Sequence, residues 1–412
     1  MSHRFLLDLA LILLSTKLFG IITKKMKLPQ VVGALVAGVV LGPTVLGIVH
    51  ETEFIEQLSA LGVIILMFAA GLETDVAELK KTGKASTGAA ILGVIIPLIG
   101  GIIIAMIFHD GGVSASMLKY VFIGIILTAT SVSITVETLK ELGKLSTRAG
   151  NTILGAALID DILGIVGLTI VTSMADASIS VGIVLLKIVL FFVFAGIIGV
   201  IVRKLFIKWT IKHGKDMKRF VIMSFVLCLG LSYIAEKFFG VTDITGAFIA
   251  GMIISNTERT QFINKKFETL SYILLSPIFF ASIGIKLEVK SLDMRTIIFT
   301  VSLIILAVVT KLIGGGLGVK MFGYSNREAM QVGSGMVSRG EVALIVANKG
   351  MAVGLMMPEF LVPVVIMVIA TTIISPILLK IVFKEKKGEH DVIEGANQLT
   401  KDYIDVANER IE

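Results

Sequence analysis

Apolar residues run along this chain in long blocks, without the regular interruption by polar positions that a soluble helix surface requires. A helix needs ~17–25 such residues to cross a hydrocarbon core. About thirteen runs qualify, at 5–22, 31–49, 55–72, 85–108, 120–138, 149–173, 179–202, 220–238, 241–255, 270–285, 296–319, 328–349 and 360–383. Some are short or interrupted by Gly and Pro, which membrane helices tolerate where neighbours satisfy the freed backbone. The pattern predicts an all-α polytopic membrane protein. The first run could pass for a signal peptide, but no small-residue cleavage site follows it. Lys24-Lys25-Met26-Lys27 reads instead as a cytoplasmic anchor.

Two of the runs recur. Gly33-Ala-Leu-Val-Ala-Gly-Val-Val-Leu-Gly42 matches Gly246-Ala-Phe-Ile-Ala-Gly-Met-Ile-Ile-Ser255, and the stretch from Leu58 to Gly71 matches that from Leu270 to Gly284 at nearly the same offset. Small-residue motifs recur in membrane helices by themselves, which explains one match better than two in register. The offset relates spans one to six to spans eight to thirteen, with the seventh as connector. Seven spans separate each pair, so the copies have opposite orientation. Inverted repeats of this kind mark alternating-access carriers with a site near the midplane.

Composition agrees with the pattern. Charged residues make up 17% and apolar ones 55%, against ~25% charged in soluble domains. The single Cys228 excludes an intramolecular disulfide and a cysteine metal cage. The five histidines (His3, His50, His109, His213, His390) fall in predicted loops or tails, which argues against haem or zinc. The net charge of +7 is mostly loop lysine and arginine, a topology signal before it is a nucleic-acid one. Basic residues cluster after the odd-numbered spans: Lys24, Lys25 and Lys27; Lys80, Lys81 and Lys84; Lys140, Lys144 and Arg148; Arg203 to Arg219; Arg259, Lys265 and Lys266. The positive-inside rule makes those loops cytoplasmic, with the N-terminus outside and the C-terminus inside. Lys286, Lys290 and Arg295 dissent.

Four features carry candidate chemistry. Asp160 and Asp161 lie side by side near the middle of the sixth run, flanked by apolar residues on both sides. A carboxylate at bilayer depth costs roughly 2.5–3.5 kcal/mol on insertion scales, so the pair needs a partner, a cavity or a bound cation. Lys311 in the eleventh run needs a partner too, and one aspartate is the economical choice. Neighbours on a helix point ~100° apart, which leaves the other aspartate free to face a cavity. The fifth run carries Thr128-Ala-Thr-Ser-Val-Ser-Ile-Thr135 and the twelfth Gly333-Ser-Gly-Met-Val-Ser-Arg-Gly-Glu-Val342, and neither makes a comfortable continuous helix. The offset pairs these two runs, and interrupted segments paired across two halves point to a binding site. Their carbonyls and hydroxyls are hard oxygen donors suited to a small alkali cation. Hydroxyls in membrane helices commonly bond to their own helix instead. Arg339 and Glu341 are expected to neutralise partial charges at the break or to pair locally.

On Thr128-Ala-Thr-Ser-Val-Ser-Ile-Thr-Val136, Leu158-Ile-Asp-Asp-Ile-Leu-Gly164, Lys311 and Gly335-Met-Val-Ser-Arg-Gly-Glu-Val342, the chain resembles the bacterial monovalent cation/proton antiporters of the second cation:proton antiporter family. That family includes NapA-type sodium/proton antiporters and Kef-type potassium efflux systems. The resemblance covers roughly 5–383. It implies a core of about 85–173 and 296–383 in which the two discontinuous helices cross near the aspartates, and a dimerisation part of about 5–72 and 179–285. It also implies that Asp161 binds the cation, that Asp160 pairs with Lys311, and that Thr130 and Ser131 lie near the crossing. The expected protein is a homodimeric carrier of the bacterial inner membrane that exchanges Na⁺, or Li⁺, for H⁺. K⁺ is the alternative, and no cofactor or nucleic acid is involved. Proton exchange at Asp160–Lys311 is expected to make transport electrogenic. Kef-type members continue into a nucleotide-binding domain, whereas here only a short charged tail, 384–412, follows the last span. That makes gating by a fused domain unexpected and leaves room for a separate regulatory subunit. A channel and an intramembrane aspartyl enzyme are the competing classes. The repeat and the paired charges speak against the first. The divergence of adjacent side chains speaks against the second.

Overall fold

In the computed structural model, residues 3–26, 28–74, 76–108, 117–175, 180–212, 217–255, 257, 259–286, 293–356 and 360–384 are described. The charged tail beyond 384 and His109, His213 and His390 lie outside them. Most helices coincide with an apolar run; the polar helix Thr260–Leu270 lies ahead of the tenth. In order these are α1 (Arg4–Lys25), α2 (Gln30–Leu41), α3 (Glu53–Glu73), α4 (Val76–Phe108), α5 (Met117–Thr128), α6 (Val132–Glu141), α7 (Arg148–Ala175) and α8 (Val181–Lys212). Then come α9 (Met217–Ile234), α10 (Asp243–Ile254), α11 (Thr260–Leu270), α12 (Ser276–Ile285), α13 (Met294–Lys320), α14 (Asn326–Gly335), α15 (Glu341–Ala352) and α16 (Leu361–Val382). Among the described residues ten segments are long and apolar enough to cross a membrane, and α2 and α10 are shorter apolar helices. The second run is helical only to Leu41, and the tenth extends back to Thr260, where a π-helical turn (Ser271–Leu275) joins α11 to α12.

Local chemistry sets the ends. The Thr52 hydroxyl accepts from the Ile55 amide at the start of α3, and Ser325 and Glu328 form a reciprocal capping box on α14. At α2, where Pro29 offers no side-chain cap, the distant Glu141 carboxylate accepts from the Gln30 amide at 2.9 and 2.8 Å. Exposure follows the solvent of a bilayer. On α8 the large apolar residues Ile183, Leu186, Leu190, Val193, Ile197 and Val200 are exposed at helical spacing, a face suited to an apolar surrounding.

Packing draws α4, α7, α13 and α16 together with the broken segments α5–α6 and α14–α15, while α2 packs on α12 and α3 on α10. Two of these crossings depend on glycine. A Cβ at Gly38 would sit 2.0 Å from the Ala281 carbonyl oxygen, and one at Gly284 would sit 2.5 Å from that of Leu35. At the other crossing, a Cβ at Gly71 would sit 2.2 Å from the Phe248 carbonyl and one at Gly251 2.3 Å from that of Phe68. In the repeat alignment Gly38 corresponds to Gly251 and Gly71 to Gly284, so the two crossings are formed by corresponding residues with the partners exchanged.

Candidate functional site

The fifth and twelfth runs are both broken, and each break holds the other. Residues 129–131 and 336–340 leave the helix, which frees backbone groups that lipid cannot satisfy. The Ser131 amide donates to the Ser338 carbonyl at 2.7 Å, and the Ser338 hydroxyl donates back to the Ser131 carbonyl at 2.7 Å. Thr135 Oγ1 donates to the Gly335 carbonyl at 2.7 Å and lies 3.0 Å from Ser338 Oγ. From α16, Thr372 Oγ1 donates to the Arg339 carbonyl at 2.7 Å.

Arg339 is fully buried at this junction. Its guanidinium donates to the Leu127 carbonyl at 2.9 Å and to that of Val337. The Leu127 oxygen lies in the last turn of α5, where the helix dipole concentrates partial negative charge, and the Val337 oxygen lies in the break just past α14. Glu341 opens α15, and its side chain lies outside the described residues.

Asp160 and Asp161 sit near the middle of α7 and divide as their angular separation requires. Lys311 on α13 meets Asp160 at 2.9 Å, with side-chain exposures of 0% and 1%. A lysine snorkelling to the membrane surface would not be so enclosed. Gly93 on α4 faces it, and a Cβ there would stand in ordinary contact, 3.8 Å from its ammonium. Gly314, three residues on, brings α13 against the backbone of α4 at Leu92.

Asp161 is half-buried and lines a small cavity of about 10 Å³ with Met67, Val132, Leu154, Leu158, Ile244, Thr245 and Phe248. About one water-sized sphere occupies that volume. The cavity lies between α7 and the two helices that cross at Gly71 and Gly251. Val132 opens α6, so the positive end of that half-helix faces the same space. Thr130 and Ser131 stand in the break just before it. Thr128 Oγ1 bonds back to the Ile125 carbonyl at 2.7 Å, as membrane hydroxyls commonly do, and Ser131 Oγ lies 3.2 Å from Ser133 Oγ. Thr130 differs: its hydroxyl is buried with no hydrogen-bond partner in the protein. An orphaned buried donor and acceptor costs about 1–3 kcal/mol, which a bound cation or water would relieve. Among the described residues no three His, Cys, Asp or Glu side chains cluster as a metal cage. The oxygens available here are one carboxylate, hydroxyls and freed carbonyls, which suit a weakly held alkali ion better than a resident transition metal.

Several contacts are not evident from the residues alone. Lys140 on α6, one of the basic cluster after the fifth span, is held by a contact from another part of the chain. Lys140 meets Glu73 at 3.0 Å, and Asn264 donates to the same carboxylate at 2.8 Å. Thr371 and Thr372 support the Arg339 backbone from α16, in a run whose hydroxyls gave no signal beyond helix back-bonding.

Comparison with known proteins follows this geometry. Residues 10–385 match the family model described as "Sodium/hydrogen exchanger, transmembrane". The Na(+)/H(+)-K(+) antiporter GerN of Bacillus cereus is 40% identical, covering 94% of this chain and 98% of that protein. A Na(+)/H(+) antiporter of Enterococcus hirae is 37% identical over 90% of this chain and 96% of its own length. The solved sodium proton antiporter MjNhaP1 of Methanocaldococcus jannaschii shares the fold at a TM-score of 0.67 and 19% identity, with 90% of this chain and 94% of that one covered.

Proposed function

We propose a function from one premise: the chain belongs to the sodium/hydrogen exchanger family. It is a multi-pass membrane protein and a secondary antiporter that exchanges a monovalent cation for protons. On our reading Na⁺ is the cation, with Li⁺ as a substitute. K⁺ is a second substrate to test, because the relative at 40% identity is named for both ions.

Asp161 is the seat of exchange. It holds either a proton or a dehydrated cation, with Thr130 and Ser131 supplying oxygen ligands beside the positive end of α6. Competition for one carboxylate forbids carrying both at once, and that is the origin of coupling without ATP or any cofactor. Asp160 and Lys311 keep a charge pair next to the seat, and proton exchange within it adds charge movement to each cycle. Arg339 engages the Leu127 and Val337 carbonyls at the break, so these two oxygens do not compete with the carboxylate for the cation. The observation that carries this reading is the division of labour at the aspartate pair: Asp160 bonded to a buried lysine and Asp161 on a cavity of about one ion's size.

The exchanged crossings of α2 with α12 and α3 with α10 support an inverted-repeat architecture. In that architecture a core of about 85–173 and 296–383 moves against a dimerisation part of about 5–72 and 179–285. Alternating access then carries Asp161 between the faces of a bacterial inner membrane, with the N-terminus outside and the protein a homodimer. The test is cation-driven proton flux in everted vesicles, titrating Na⁺, Li⁺ and K⁺. Asp161→Asn should abolish flux with all three ions, and wild-type flux in that variant would remove Asp161 from the seat.

A further inference from the structure

We infer that Glu137 is an entry carboxylate, which receives the incoming cation in a cytoplasm-facing vestibule before it reaches Asp161. The inference rests on the assignment of Asp161 above. A second and far larger cavity, of about 490 Å³, opens among α1, α2, α3, α6 and α11. A water takes ~30 Å³ of liquid volume, so this space accepts a hydrated cation where the cavity at Asp161 accepts only a stripped one. The two spaces share walls. On α3 the consecutive residues Leu66 and Met67 line the large and the small cavity, respectively. On α6 the small cavity is lined by Val132 and the large one by Glu137, five residues apart or about 7.5 Å along a helix.

Three carboxylates line the vestibule, and they are not equivalent. Glu141 is engaged as the cap of α2 through the Gln30 amide. Glu268 is exposed at the rim. Glu137 is half-buried and, among the described residues, makes no hydrogen bond or ion pair, although it lies on the half-helix that leads to Asp161. The cations of the vestibule are already held: Lys140 by Glu73 at 3.0 Å, and Lys17 by the Tyr272 hydroxyl at 3.0 Å. Lys140 lies near enough to act on Glu137 but is bonded to Glu73, so Glu137 keeps no contact cation. A passing cation stabilises a half-buried carboxylate in that position. The last turn of α1 carries Lys24 and Lys25, and the link from α6 to α7 carries Lys144; the positive-inside rule places all three at the cytoplasmic side.

Right-side-out and everted vesicles present opposite faces to added Na⁺ and separate entry from exchange. In everted vesicles Glu137→Gln should raise the half-saturating Na⁺ concentration about three- to tenfold, the scale of one unit charge acting across a hydrated cavity. The loss should fall on KM and not on the maximal rate, the opposite face should keep its wild-type KM, and Glu137→Asp should recover most of the affinity. Lys17→Gln, which removes a positive charge from the same vestibule, should shift KM the other way and gives an independent reading if Glu137→Gln does not insert. An equal KM shift on both faces, no shift in either variant, or no recovery in Glu137→Asp would overturn the entry role. Flux retained in Asp161→Asn would overturn the seat itself, and this inference with it.

Discussion

Asp160→Asn removes one half of the buried pair and leaves the Lys311 ammonium enclosed without a counter-charge. Unit charges at the observed 2.9 Å attract by about 6 kcal/mol at an effective dielectric of ~20. Breaking a buried pair from one side costs about 3–5 kcal/mol, because the survivor keeps its desolvation penalty. For a chain of 412 residues, whose unfolding entropy scales with length, that corresponds to a fall in Tm of about 3–6 °C. Adding Lys311→Met removes the orphaned charge, and the double variant should return to within about 1 kcal/mol of wild type, since well-packed apolar replacements of buried pairs are often neutral. Thermal unfolding in detergent, followed by circular dichroism across wild type, both single variants and the double, gives the coupling directly. If the double variant is as unstable as the sum of the singles, Asp160 and Lys311 do not act as a pair and the account of the site fails.

Other positions give independent tests. Thr130→Val should weaken Na⁺ affinity in the flux assay while leaving thermal stability equal or higher, because the hydroxyl it removes has no partner in the protein. Arg339→Lys should lower stability by about 1–3 kcal/mol, measured by the same melts, since one ammonium cannot span both the Leu127 and Val337 carbonyls as the guanidinium fork does. Gly38→Ala places a Cβ 2.0 Å from a backbone carbonyl and should cost about 1–3 kcal/mol as overpacking. Its repeat counterpart Gly251→Ala should behave alike, and a tolerated pair would contradict the crossing geometry.

The fold was legible because the bilayer imposes one rule on every segment: apolar length. Apolar length marks where helix lies, and even the interruptions at Thr130 and Ser338 were visible as stretches that resist continuous helix. The Asp160–Lys311 partnership was legible for the same reason, since two costly charges in a sparsely charged interior have few partners to choose from. Helix ends were harder to read. The second run ends as helix at Leu41 because the backbone extends at Gly42 and then enters a hydrogen-bonded turn over 43–46, although its apolar composition continues to Val49. Glu137 stayed hidden because a carboxylate one turn from a span end ordinarily reaches water. Only the tertiary arrangement of α1, α2 and α11 turns that position into the wall of a vestibule. The link from Glu141 to Gln30 crosses more than a hundred residues and follows no local periodicity.

The central claim is that one carboxylate, Asp161, holds the cation and the proton in turn. Na⁺ binding to the purified protein, measured by titration calorimetry over a series of pH values, tests it most directly. The account predicts that in the acid limb the apparent Kd rises about tenfold for each unit fall in pH, with close to one proton released per Na⁺ bound, and that Asp161→Asn abolishes both the binding and the proton release. Na⁺ binding that ignores pH, or that survives in Asp161→Asn with its proton release intact, would contradict it.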